Sequence, residues 1–284
     1  MTEIVASVAE LRRVVREWRA AGARVALVPT MGALHAGHLR LVTAGQLRAD
    51  RVVVSIFVNP TQFAPHEDLA RYPRDLEGDL AKLREVGADV AFVPGVEEMY
   101  APGFQTAVRV EVLGQGLCGV SRPHHFGGVA TVVAKLLNQA QADVAMFGEK
   151  DYQQLLVVRR MALDLDIPTE IAGVATVREE DGLALSSRNR YLTPEQRSVA
   201  PKLYREMLAV AVDVAGGAPV AARLTEAQAL LTQAGFDRVE YLELRDAASL
   251  EPLTSFGPAP ARLLAAVHLG AVRLIDNVAV EAVS

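Results

Sequence analysis

The chain has 284 residues, 51% of them apolar and 22% charged, with a formal net charge of −5 and a single cysteine, Cys118. That balance excludes a disordered chain, a basic nucleic-acid-binding surface and an internal disulfide, and the length predicts two domains or one large α/β unit with an appendage. No stretch reaches the roughly 18 uninterrupted apolar residues of a membrane span, and Glu3 and Glu10 interrupt any signal-peptide pattern, so the expectation is a cytoplasmic protein bound neither to membrane nor to nucleic acid.

Ser7-Val8-Ala9-Glu10 has the form of a capping box, and Leu11, Val14, Val15 and Trp18 follow at helical spacing, predicting a first helix that ends near Ala21. Short apolar runs of strand character come next at 24–28, 52–58, 89–93, 143–147 and 171–177, separated by helical periodicity such as 75–86 and 129–139. Strands alternating with helices predict βαβ units and a parallel sheet, whose ligands bind at the carboxyl ends of the strands. The pattern changes near residue 177. Thr193-Pro194-Glu195-Gln196 opens a helix expected to run to Gly216-Gly217, and a second helix is expected over 220–234. Antiparallel strands are expected over 238–244, 262–269 and 272–275, so residues 177–284 read as a smaller α+β domain after a first domain of residues 1–176.

Six segments carry chemistry. Pro29-Thr30-Met31-Gly32-Ala33-Leu34-His35-Ala36-Gly37-His38 follows the first predicted strand and leads into a helix, whose start favours phosphate. His35 and His38 would point to one side and donate to phosphate oxygens as charge develops on them. The competing reading is a tight turn whose histidines only pack or cap. In Ser55-Ile56-Phe57-Val58-Asn59-Pro60-Thr61-Gln62, Asn59 and Gln62 stand at a strand end, where Gln62 can read a hydroxyl or a carboxylate; Asn-Pro turn chemistry explains the loop equally well. Glu67, Asp68 and Asp79 could hold Mg²⁺ or simply form a solvated helix face. Arg122, in Ser121-Arg122-Pro123-His124-His125, could fork onto a phosphate or carboxylate or lie in a surface loop. Gly148-Glu149-Lys150-Asp151 lies just past a strand and offers Lys150 to an α-phosphate, with Gln154 four residues on. Leu185-Ser186-Ser187-Arg188 offers two hydroxyls and a guanidinium as a mobile triphosphate clamp.

Taken together, in order and spacing over essentially the whole chain, these segments resemble the pantothenate synthetase family. The resemblance implies a Rossmann-like parallel sheet with helices on both faces, a smaller C-terminal lid domain and a homodimer. It implies ATP contacts from Met31 to His38, from Gly148 to Asp151, at Val177 and from Leu185 to Arg188. His38 is implied as proton donor, with His35, Lys150 and Arg188 beside it in catalysis. Gln62 is implied to contact pantoate and β-alanine, and Gln154 pantoate. The chain departs from the family at His124, where glycine is usual; a position requiring positive φ would strain histidine.

The reaction implied is ATP- and Mg²⁺-dependent: pantoate is adenylated and its pantoyl group passes to β-alanine, with AMP and pyrophosphate released. The alternative is another His-x-Gly-His nucleotidyltransferase that adenylates a phosphorylated acceptor such as phosphopantetheine. An aminoacyl-tRNA synthetase would want a basic face that this acidic chain lacks. A non-catalytic nucleotide-binding regulator would have no use for Lys150, both histidines and Arg188.

Overall fold

The structure, a computed structural model, describes residues 2–64 and 67–281, with the side chain of Asp68 outside the description. The chain divides into two compact units, Met1–Glu149 with Gln153–Ala175, and Lys150–Tyr152 with Thr176–Ser284.

In the first unit the elements run β1 (Glu3–Val5), α1 (Val8–Ala20), β2 (Val25–Thr30), α2 (Ala36–Gln46), β3 (Arg51–Ile56), α3 (Leu76–Val86), β4 (Val90–Phe92), α4 (Val96–Met99), α5 (Cys118–Ser121), α6 (His125–Ala140), β5 (Val144–Gly148), α7 (Tyr152–Asp164, beyond its first residue) and β6 (Glu170–Val174). The strands form one parallel sheet in the order β1-β4-β3-β2-β5-β6. The expected capping box opens α1: Ser7 Oγ accepts from the Glu10 N–H at 3.2 Å while Glu10 accepts from the Ser7 N–H at 2.9 Å. Strand β1 was not expected. It has three residues, two of them exposed, and it adds to the sheet edge by pairing with β4. What reads in sequence as the first strand is therefore the second.

The helices α2 and α3 cover one face of the sheet. Leu34, Leu41, Val42, Leu80 and Leu83 pack there on Ala26, Val28, Val52, Val54, Ile56 and Met146. The helices α1 and α6 pack together on the other face. Strands buried on both faces explain why the sequence shows continuous apolar runs rather than alternation.

The chain leaves β2, builds outward through β3 and β4, then returns to place β5 on the other flank of β2. The carboxyl ends of β2 and β5 thus flank the topological switch point, where open α/β sheets bind ligands. The pairing itself opens there. Strand β2 stays in register with β3 from Val25 to Thr30 but pairs with β5 only at Ala26 and Leu27. The Val25 N–H points to the β5 side, where it bonds Asp143 at 2.7 Å. By the two-residue period of a strand, position 29 faces the same side, and Pro29 has no N–H to give.

In the second unit α8 (Pro194–Val199), α9 (Lys202–Ala215) and α10 (Val220–Gln233) precede β7 (Arg238–Asp246), β8 (Ala261–Leu269) and β9 (Val272–Val280), which form an antiparallel sheet in that order. Its core joins Leu203, Met207, Val210 and Leu231 to Leu242, Leu263, Ala265 and Val267. The helix expected to run unbroken from Thr193 is interrupted at Ala200-Pro201, where proline removes a donor. Strand β9 runs five residues beyond the expected Ile275, because the polar pair Asp276-Asn277 is buried and fully bonded inside it. Among the described residues no helix is long and apolar enough to cross a membrane.

Candidate active site

In the first unit, the segment after β2 carries both histidines. His35 is the N-cap of α2, and its Nδ1 accepts from the Gly37 N–H at 3.2 Å. His38 Nδ1 accepts from the His35 N–H at 3.3 Å, so each ring secures the start of the helix. The ring centroids lie 4.1 Å apart, as the spacing predicts. With both Nδ1 atoms accepting, the neutral tautomer carries its proton on Nε2, and each ring becomes a donor through that nitrogen.

The backbone ahead of the rings is unusual. Gly32 has φ +80° and Ala33 φ +52°, and a Cβ on Gly32 would stand 3.0 Å from Asp79 Oδ2 and 3.2 Å from Ile56. Only glycine meets both demands at position 32. The carboxylate of Asp79 is buried, accepting from the Ala33 N–H at 2.8 Å and the Leu34 N–H at 2.7 Å. Asp79, expected as a magnesium ligand, has both oxygens bonded to the protein's own backbone. These two amides are thereby paired within the protein. Among the described residues no group of three His, Cys, Asp or Glu could hold a metal ion.

Gln62 closes a 3-10 turn, Pro60–Gln62, beyond β3. Its Nε2 donates to Met31 Sδ at 3.0 Å, so the loops after β2 and β3 meet through two expected site residues. Asn59 supports this turn. Buried, it donates to Gln62 Oε1 and to the Gly128 carbonyl, each at 3.1 Å, and it accepts from Thr61 Oγ1 at 2.9 Å and Tyr100 Oη at 2.8 Å.

Arg122 and His125, both read from sequence as candidate ligand contacts, meet partners within the protein. The guanidinium forks onto Glu67 at 2.6 and 2.7 Å and reaches the Gln62 carbonyl at 3.4 Å, while His125 Nδ1 lies 3.0 Å from that carbonyl. Gly128 completes the support, since a Cβ there would lie 2.5 Å from the Thr61 carbonyl oxygen. These groups hold the backbone at Gln62, while Asn59 and Met31 meet its side chain. His124 has φ −97°, so replacing the family's glycine strains nothing.

The Arg122–Glu67 pair makes a pH-dependent contribution. Burial pushes the Glu67 carboxyl up, but the hydrogen bond and charge of Arg122 outweigh it and hold the group below its ordinary 4.5. A depressed folded value means stabilisation present in full above the ordinary value and lost as pH falls through the folded one. Urea melts of wild type against Glu67→Gln should differ by a constant amount above about pH 5, and the difference should shrink as acidification takes the carboxyl through its depressed value. A gap that does not shrink at all on acidification would contradict this.

Gly148 ends β5, and a Cβ there would meet nothing within 4 Å. Glu149 stands beside Gly173 of β6, whose added Cβ would lie 3.1 Å from Glu149 Oε1. Gln154 lies partly buried on α7. Its neighbour Gln153, unmarked in the sequence, is buried and bonds the Cys118 N–H at 3.1 Å and the Leu113 and Gly116 carbonyls at 2.9 and 2.7 Å. It thereby ties down the loop before α5, and the buried Cys118 is part of that packing.

In the second unit, the Lys150 carbonyl accepts from Asn277 Nδ2 at 2.9 Å, and Asn277 Oδ1 accepts from Arg262 at 2.7 Å. The Lys150 ammonium is 3.8 Å from Asp151 Oδ2, a loose pair. Val177 and Leu185 are joined, the Leu185 N–H donating to the Val177 carbonyl at 3.0 Å, with a bridge between Arg178 and Ala184 inside them. Ser186 caps the 3-10 turn Ser187–Tyr191 by accepting from the Arg188 N–H at 3.3 Å. The base of this loop is locked by Arg178, which forks onto Asp276 at 2.6 and 2.9 Å and stacks 3.5 Å from the Tyr204 ring centroid. Arg178, Asp276 and Asn277 were missed in the sequence; the signal was a polar pair inside an otherwise apolar strand.

A family model described as pantoate–β-alanine ligase matches residues 3–279. The chain belongs to the pantoate–β-alanine ligase family. It is an enzyme, and joining pantoate to β-alanine is its activity. The pantothenate synthetase of Paramagnetospirillum magneticum is 58% identical over 278 residues, covering 98% of this chain and 98% of that protein. The crystal structure of pantothenate synthetase from Thermus thermophilus matches with a TM-score of 0.92 at 51% identity, covering 98% of this chain and 99% of that one. A pantoate–β-alanine ligase from Francisella tularensis, complexed with beta-gamma ATP and β-alanine, is 32% identical with a TM-score of 0.83, over 98% of this chain and 97% of that one. The enzyme thus shares the two-sheet architecture of this family along its full described length.

Proposed function

We propose that the enzyme drives ligation with ATP in two steps. A pantoate carboxylate oxygen attacks the α-phosphorus, forming pantoyl adenylate and releasing pyrophosphate. The β-alanine amine then attacks the acyl carbon, forming the amide and releasing AMP. The observation that carries this reading is the pair of imidazoles stacked at the carboxyl end of β2, each fixed by an Nδ1 that accepts from backbone. Donors fixed before charge develops stabilise a transition state without reorganising. His38 serves as proton donor, with His35, Lys150 and Arg188 on the phosphate oxygens. The segments Met31–His38, Gly148–Asp151 and Leu185–Arg188, with Val177, bind ATP.

Gln62, held by its backbone, recognises pantoate and β-alanine, and Gln154 recognises pantoate. Residues 1–176 form the domain for nucleotide and pantoate, and residues 177–284 act as a lid that keeps water from the mixed anhydride. Mg²⁺ is assigned to the nucleotide, held by phosphate oxygens and water. No protein ligand is assigned to it, because the oxygens of Asp79 are taken. The enzyme acts as a homodimer in the cytoplasm.

The adenylate route predicts that label in pyrophosphate enters ATP when pantoate is present and β-alanine absent. Net AMP release should require both acids. Exchange that needs β-alanine would overturn the two-step order, and AMP release without pantoate would overturn the substrate assignment.

A further inference from the structure

We propose that Asp79 and Lys82 are positioning residues for the reaction. One turn apart on α3, they grip the backbone of Ala33 and Leu34 and thereby fix where His35 and His38 stand. The inference rests on the catalytic reading of those two histidines and deepens it.

The grip engages both kinds of backbone group. Asp79 takes the N–H groups of Ala33 and Leu34, while Lys82 Nζ donates to the Leu34 carbonyl at 2.9 Å and lies 3.8 Å from Asp79 Oδ1. The carboxylate is 2% exposed and the lysine side chain 39%. Both N–H and C=O of Leu34, the residue directly before the α2 N-cap, are therefore set by α3.

The gripped backbone needs such a partner. With positive φ at Gly32 and again at Ala33, the chain turns two successive N–H groups to one side. Successive amides so arranged form a concave anion site. In phosphate-binding loops the ligand fills such a site; here a side chain of the same unit does. The positive-φ conformation of Ala33, sparsely populated for a residue with a Cβ, is thus held by contacts present before substrate arrives. A catalytic ring displaced by about 1 Å can lose about 10²-fold in rate, so the value of the grip lies in placement.

The test uses the full-length enzyme. In the wild type, hydrogen exchange read by NMR should show the Ala33 and Leu34 amides protected by about 10²-fold or more over exposed loop amides. Exchange at loop rates would overturn the proposal whatever the variants do.

Asp79→Asn leaves one acceptor oxygen and turns an NH₂ toward a backbone donor. It should lower kcat by about 10- to 100-fold, with KM for ATP changed by less than about threefold and the Mg²⁺ concentration for half activity unchanged. Lys82→Met removes only the carbonyl partner at a partly exposed site, and should fold and lower kcat by about 3- to 10-fold. Restoration of Asp79→Asn by added Mg²⁺ would make Asp79 a metal ligand and overturn the proposal, as would wild-type kcat in either folded variant. If Asp79→Asn does not fold, the wild-type exchange rates and Lys82→Met still decide. Absence of pantoate-dependent pyrophosphate exchange in the wild type would remove the functional reading, while amide protection would still report the grip.

Discussion

Lys150→Ala should lower kcat by about 10²-fold or more, with His38→Ala in the same range and both proteins folded, since each removes one donor from a charged transition state. Position 150 is suited to that role by what holds it. The main chain is pinned through the carbonyl to Asn277, whose oxygen is in turn held by Arg262. Among the described residues the ammonium's ion-pair partner is Asp151 at 3.8 Å, a loose pair, so its charge is not spent on a tight internal one. A compact ammonium aimed at one phosphate oxygen is not replaced by a planar fork, so Lys150→Arg should recover little of the loss. Steady-state kinetics with saturating pantoate and β-alanine check both statements. Turnover within tenfold of wild type in both alanine variants would remove the phosphate-contact assignment.

Asp276→Ala should be among the most destabilising substitutions in the second unit, by roughly 3–5 kcal/mol, because it strands a buried guanidinium. Asp276 and Arg178 side chains are 3% and 17% exposed, and their bidentate geometry is joined by the stacking of Arg178 on Tyr204. Removing both charges, as Arg178→Met with Asp276→Leu, should cost much less than Asp276→Ala alone, since no charge is then left without a partner. Urea unfolding of the single and double variants checks the ordering. A double variant less stable than Asp276→Ala would show that the pair contributes through its attraction rather than through the penalty of breaking it. The loop locked by this pair carries Val177 and Leu185, so Asp276→Ala should also raise KM for ATP in the fraction that remains folded.

These two networks mark where the sequence was hardest to read. The apolar runs of β2, β3 and β5 announce a buried parallel sheet, and Ser7 with Glu10 announces the first helix, because those signals are local. The polar pair in β9 looked like the end of a strand. Its partners, Arg178 and the Lys150 carbonyl, lie 98 and 127 residues away in the chain. Strand β1 escaped for the opposite reason, being too short to show a period. The same asymmetry governs the site. His35 and His38 stand together because three residues of helix put them there. Asp79, Arg122 and Asn59 have side chains suited to a ligand, and spacing could not reveal that backbone amides, Glu67 and Gln62 already occupy them.

Pro29 has one more implication. The ladder between β2 and β5 ends after Leu27, and Pro29, facing β5, has no N–H with which to add the next rung. Restoring that amide would supply the missing donor and let the ladder run further, so an imino acid there sets where the two strands stop pairing.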